Sequence, residues 1–333
     1  MMPVRTLRWL GVLFMLLVVL AFSAANTGAM SLTLPALWRS GFDGSLWQIW
    51  FTIRLPRVLL AVIVGGALAL SGCVMQGLFR NPLADPGLLG ISSGAALAVA
   101  MSIVLSLSLP GVLMLYLPLL AAFLGSLAVT LVIFLLSRQG LTGLSRLLLV
   151  GIAINALCGA AVGVLSWLST DQQLRQLSLW GMGSLGQAQW PTVLVCASVV
   201  VPCMVLVQRL AIRLNLLQLG EEEAHYLGVD VARTQRYLLV LSAFLVASAV
   251  AVSGVIGFIG LVVPHLMRFW LGGDHRWLLP SSLMSGAILL LLADTLARTL
   301  VAPAEMPVGL LTSLIGGPWF LWLILRRRGG LNG

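Results

Sequence analysis

The chain has 333 residues, 60% of them hydrophobic and 9% charged, and a formal net charge of +9. A soluble domain is roughly 25% charged, so this chain cannot cover a water-facing surface of its own size and reads as an all-α integral membrane protein. All 19 basic residues are arginine; a phosphate-binding P-loop, which needs a lysine after its Gly-rich turn, is therefore excluded, and arginines confined to short loops argue against a nucleic-acid face.

In chain order, apolar windows broken by Pro, Gly and charge predict ten transmembrane helices. They lie near 9–29, 57–79, 87–106, 112–136, 146–168, 191–209, 237–253, 256–271, 279–298 and 307–325. The first follows Arg5 and Arg8 and is read as a retained helix rather than a cleaved leader. Residues 87–137 contain no Asp, Glu, Lys or Arg, which leaves room for two spans of about 20 residues each.

The division at Ser253 and Gly254 is the delicate one, because 237–271 is short for two spans. Charge balance decides it. Ten spans with both termini cytoplasmic leave only Arg39, Arg54, Arg57, Arg175 and Arg298 outside. Merging the seventh and eighth spans would put Arg326, Arg327 and Arg328 outside, against the positive-inside rule.

Three connections are too long for turns: 30–56 and 169–190 facing outward, and 210–236 facing inward. The inward one carries Glu221, Glu222 and Glu223 and reads as short helices. Loops on a rigid scaffold are where partners usually bind. Gly159 and Gly163 form a GxxxG pair suited to helix packing. Asp294 is the one acid placed well inside a span, and Arg298 four residues on can pair with it on one face. Cys73, Cys158, Cys196 and Cys203 have no metal-type spacing and read as core residues without disulfides. No HExxH motif is present, so the chain is not expected to be an enzyme.

Several blocks resemble the FecCD-type permeases, which import vitamin B12, iron–siderophores and haem. They are Arg54-Leu55-Pro56-Arg57, Gly66-Ala67-Leu68-Ala69 with Gln76, Arg80-Asn81-Pro82-Leu83-Ala84-Asp85-Pro86, and Leu89-Gly90-Ile91-Ser92-Ser93-Gly94-Ala95. Further along come Leu227-Gly228-Val229, Gly257-Phe258-Ile259-Gly260-Leu261 with Pro264-His265, Asp274-His275-Arg276, Ala293-Asp294 with Arg298, and Glu305-Met306-Pro307-Val308-Gly309. Their order runs through nearly the whole chain.

The resemblance implies one permease domain over 1–333 with the type II ABC importer fold, resident in the bacterial inner membrane. It implies a homodimer with two cytoplasmic ATP-binding subunits and a periplasmic substrate-binding protein, and no cofactor. The segment 210–236 becomes the ATPase-coupling loop, with Gly220, Glu221, Glu222, Ala224, Leu227 and Gly228 at the contact and Gly228 as a break between two short helices. Arg54, Arg57 and Arg298 match the family's docking arginines for the binding protein, a task that suits the bidentate guanidinium. The passage is expected along the dimer axis, near Asn155, Ser166, Arg175 and Met182.

Within the family the chain resembles haem permeases most, notably over 180–190; a ferric siderophore or vitamin B12 is the alternative cargo. His265 and His275 are candidate haem contacts, although both sit in blocks shared with permeases that carry no haem. An ion-coupled secondary transporter is the rival from another class, and would need several buried ionisable groups at mid-membrane.

Overall fold

The computed structural model describes residues 4–28, 44–105, 113–137, 143–301 and 304–328. Arg39, Arg138 and part of the outward stretch 30–56 lie outside them. The first helix, α1, is Val4–Asn26. A short helical lead-in, Ser45–Ile49, passes through a π turn, Trp50–Arg54, into α2, Leu55–Leu78. There follow α3 (Ile91–Val104), α4 (Leu113–Ser137), α5 (Gly143–Leu168), α6 (Asp171–Gly181) and α7 (Trp190–Arg209). Two short helices, α8 (Ala211–Leu217) and α9 (Glu221–Tyr226), precede α10 (Val231–Ser253), α11 (Ile259–Leu271), α12 (His275–Thr299) and α13 (Val308–Arg328).

Seven of these helices are long and apolar enough to cross a membrane, and Ile91–Val104, Ile259–Leu271 and Val308–Leu321 are shorter apolar ones. Together they fall on the ten segments expected from the sequence. The break after Ser253 is where charge balance put it: α10 ends there, and 254–258 run without helix to α11.

The centre of the bundle is α2, packed by α7, α10, α11 and α12. Glycines permit this closeness. A Cβ on Gly72 would overlap the Gly260 carbonyl on α11, one on Gly65 would overlap the Gly286 carbonyl on α12, and Gly94 stands likewise against Gly125 between α3 and α4. With no hydrophobic drive between helices in lipid, such backbone approach is what holds them. Gly159 and Gly163, the pair visible in the sequence, do not contribute: a Cβ on either meets nothing within 4 Å. Small residues facing each other from different helices leave no local motif, whereas GxxxG does.

The turn from α2 to α3 is set by its polar residues. The Asn81 side chain accepts from Leu83 N (2.9 Å), and Asp85 accepts from Gly87 N (2.7 Å). Both are local side-chain caps that replace helical bonds.

Candidate functional site

Polar groups gather at the two ends of the bundle and around one cavity. At the end assigned to the outside, α1 stops with its last carbonyls lacking partners inside the helix, and a helix C-terminus attracts cations. Two arginines meet them. The π turn brings Arg54 inward, where NH1 donates to the carbonyls of Asn26 (2.8 Å) and Ala25 (3.3 Å). Arg298, at the end of α12, donates from NH2 to the carbonyl of Ala24 (2.6 Å), and its Nε lies 3.7 Å from Asp294 Oδ2.

Arg57 on α2 is held on both edges. Its Nε and NH2 face Asp294 of α12 at 3.0–3.1 Å, and NH1 donates to Glu305 Oε2 and Oε1 at 2.9 and 3.0 Å. Asp294 is fully buried, while the Glu305 side chain is 51% exposed. The same-face pair expected between Asp294 and Arg298 is present, but Asp294 is shared with Arg57, which a four-residue spacing does not reveal. Arg54, Arg57 and Arg298 are only 6%, 8% and 6% exposed. Each guanidinium is engaged within its own chain and sits below the surface.

At the opposite end, 210–236 folds as α8, α9 and the start of α10. Gly220 (φ +145°) opens α9, and Gly228 (φ +84°) closes it; both take backbone angles that glycine tolerates best. The break between the two short helices is therefore Gly220, and Gly228 separates α9 from α10. Glu221, Glu222, Glu223 and His225 are exposed, as are Tyr226 (85%) and Leu227, whereas Ala224 is buried and anchors the helix. Glu221 accepts from Gln235 Nε2 (2.9 Å).

The sequence did not single out Asn215 and Gln218, which fasten this segment. Asn215 Oδ1 accepts from the backbone N and the ring Nδ1 of His275, both at 2.8 Å, and Nδ2 donates to Asp274 Oδ1 (2.6 Å). Gln218 Nε2 donates to the Gly77 carbonyl (2.6 Å). Asp274 caps α12 by accepting from Arg276 N (3.0 Å) and pairs with the Arg276 guanidinium (2.7 Å). The Arg276 side chain, aided by Asn215, holds the Asp274 carboxyl down to about 2. His275 is 1% exposed and His265 8%, so both face the interior.

A cavity of about 970 Å³ opens near the outer end, lined among others by Tyr116, Gln176, Trp180, Gln189, Ser253 and Glu305. Its floor includes the break between α10 and α11. A 13-residue α11 spans only about 20 Å, less than a hydrocarbon core of about 30 Å, so as a membrane span it would carry 254–258 into the bilayer. Irregular backbone is tolerated there only when it is buried in protein or lines a wet cavity. Ser184 N donates to the Ser253 carbonyl (2.7 Å), Gly309 N to the Gly183 carbonyl (3.3 Å), and a Cβ on Gly254 would overlap the Trp180 carbonyl. The four residues expected along a passage do not line this cavity. Asn155 is tied to Ser93 and, through Nδ2, to the Gly87 carbonyl (3.1 Å), fixing α5 to the α2–α3 turn. Ser166 is half-buried on α5, Arg175 is exposed on α6, and Met182 ends α6 at 37% exposure. Helix α6 is capped by Thr170 and Gln173 and buries none of its residues.

Comparison with known proteins agrees with this architecture. A model of the FecCD transport family matches residues 13–326. The hemin transport system permease of Yersinia pestis is 67% identical over 319 residues, 96% of each chain. The vitamin B12 import permease of Klebsiella pneumoniae is 43% identical over 326 residues, 98% of this chain and 96% of that one. Among solved structures, a metal-chelate-type ABC transporter in an inward-facing conformation superposes with a TM-score of 0.87 at 37% identity, covering 96% of this chain and 99% of that one.

Proposed function

Because the chain belongs to the FecCD transport family, we propose that it is the membrane-spanning subunit of an ATP-driven importer that moves haem across the inner membrane. The observation that carries the cargo is the gap between 67% identity to a hemin permease and 43% to a vitamin B12 permease, both over nearly the whole chain. The permease is not itself an enzyme. Without lysine it has no P-loop, so hydrolysis belongs to a separate ATP-binding subunit.

Each partner has a surface that suits it. The exposed Tyr226, Leu227 and acidic turn of α9 offer the ATP-binding subunit a mixed apolar and charged ridge, with Gly220 and Gly228 as its joints. A second copy fits α5. Ala153, Ala156, Gly159, Ala160 and Gly163 form an exposed small-residue face there, the kind of face that lets two helices approach closely. The passage would then run between the copies, with Asn155, Ser166, Arg175 and Met182 on α5 and its outward extension α6. Ten spans with both termini inside keep the triple arginine at the end of α13 on the cytoplasmic side.

Docking of a periplasmic binding protein by Arg54, Arg57 and Arg298 acquires a condition. Arg57 already holds Glu305, so an incoming carboxylate reaches it by displacing that half-exposed acid.

The reading is tested by reconstituting the permease with its ATP-binding subunit and binding protein in liposomes. ATP-dependent accumulation of haem, read by its Soret absorbance, is expected. Uptake by the permease alone on a proton or sodium gradient would refute the importer reading. Uptake of cobalamin or a hydroxamate siderophore instead of haem would refute the cargo.

A further inference from the structure

The segment 210–236 is built in two unlike halves. Helix α9 is exposed except at Ala224, while α8 buries Ala211, Leu214 and Leu217 against the bundle. A single amide fixes α8 to the start of α12: Asn215 binds the cap Asp274 through Nδ2, and its Oδ1 accepts from the backbone N and the ring Nδ1 of His275. Since Oδ1 can only accept, the imidazole carries its proton on Nδ1. Three residues on, Gln218 Nε2 donates to the Gly77 carbonyl near the end of α2, which also accepts from Arg80 N (3.3 Å). Leu214 and the His275 ring close over Gly77 so tightly that a Cβ there would lie 3.0 and 2.8 Å from them.

What lies beyond these contacts gives them direction. Helices α2 and α12 are in backbone contact at Gly65 and Gly286, and at their far end Arg57 of α2 grips Asp294 of α12. The two helices therefore form one stiff body, about 36 Å long at 1.5 Å per residue over α2. It runs from the foot of α8 to the outer ion network. Packed interiors pass displacement on rather than absorb it. A push on α9 reaches this body through α8, and Asn215 and Gln218 are the polar bonds that prevent slip.

We propose that Asn215, seconded by Gln218, is a positioning residue for energy coupling: it ties the partner-facing α9 to the α2–α12 body so that they move together. This rests on the importer reading above. The pair would sit beneath the ATPase contact without touching nucleotide or cargo.

The test uses the complete transporter in liposomes, measuring haem moved and ATP hydrolysed in the same vesicles. Losing bonds of this kind, one of them to a charged group, is worth about tenfold or more in an equilibrium. Asn215→Ala is expected to keep basal hydrolysis and to raise ATP consumed per haem by about tenfold, with Gln218→Ala milder. A ratio within about twofold of wild type in Asn215→Ala, or transport and hydrolysis falling in parallel, would overturn the assignment. If Asn215→Ala does not assemble, Gln218→Ala decides: assembled with a raised ratio supports the proposal, assembled with the wild-type ratio refutes it. A wild-type complex that hydrolyses ATP without moving haem would instead sink the importer reading.

Discussion

The outer ion network makes a sharp energetic prediction because Arg57 is held by two carboxylates in opposite environments. Asp294 is fully buried and binds Arg57 through three contacts of 3.0–3.1 Å, with Arg298 Nε a further 3.7 Å away. Replacing it with Ala leaves two guanidinium groups facing a buried site without their shared counter-charge, and removing one partner of such a pair costs about 3–5 kcal/mol. Glu305 makes equally short bonds, 2.9 and 3.0 Å, but its side chain is 51% exposed. Water replaces what it gives, so Glu305→Gln should cost about 0–1 kcal/mol. Thermal unfolding of the detergent-solubilised protein can be followed with a thiol-reactive dye, because all four cysteines are buried and free. Asp294→Ala should lower the midpoint by on the order of ten degrees, and Glu305→Gln by a few at most. Adding Arg57→Met to Asp294→Ala should recover part of the loss, since the stranded charge is removed with its partner. Equal shifts from Asp294→Ala and Glu305→Gln would refute the reasoning, because contact distance rather than burial would then govern the energy.

Other consequences follow from the same geometry. Glu305→Gln should tighten binding of the periplasmic protein in a pull-down or calorimetric titration, and Arg57→Glu should weaken it; no change in either would remove Arg57 from the docking surface. Gly72→Ala should cost about 1–3 kcal/mol or more, because its Cβ meets a backbone carbonyl that cannot rotate away. Gly159→Leu, which meets nothing in its own chain, should leave the unfolding midpoint of the isolated subunit alone while lowering the dimer fraction on cross-linking. The Asp274 carboxyl is held at about 2, below the usual value of about 3.9. A depressed acid lends its stability fully above the usual value and loses it as pH falls toward the lowered one. Hydrogen-exchange protection at the start of α12 should therefore be flat from about pH 8 to 4; a loss setting in near pH 6 would show that another group controls the cap.

What the sequence made legible, and what it hid, divides along a physical line. Span positions depend on summed apolarity over about 20 residues, so even the short apolar helix before the loop at 272–274 could be expected, with arginine balance arguing for its separation from the helix before it. Partnership across helices has no such local sum. Arg54, Arg57 and Arg298 break the expected positive-inside trend, which marks them as needing a reason, yet they do not share one. Two of them cap the C-terminal carbonyls of α1, and one bridges Asp294 and Glu305. Asn155 was expected along a passage from the family resemblance, and its bond to the Gly87 carbonyl makes it a fastening for α5, which the resemblance did not reveal. Asn215 was not legible at all. It lies in a segment whose exposed acids draw attention outward, and its partners are 59 and 60 residues away. The exposed α9 and the buried α8 are separated by three residues ending in Gly220, so the proposed contact surface and the proposed transmission element occupy adjacent turns of the same loop. That proximity explains why residue type alone assigns the whole loop to contact: function at its surface is written in exposure, and function beneath it only in who bonds to whom.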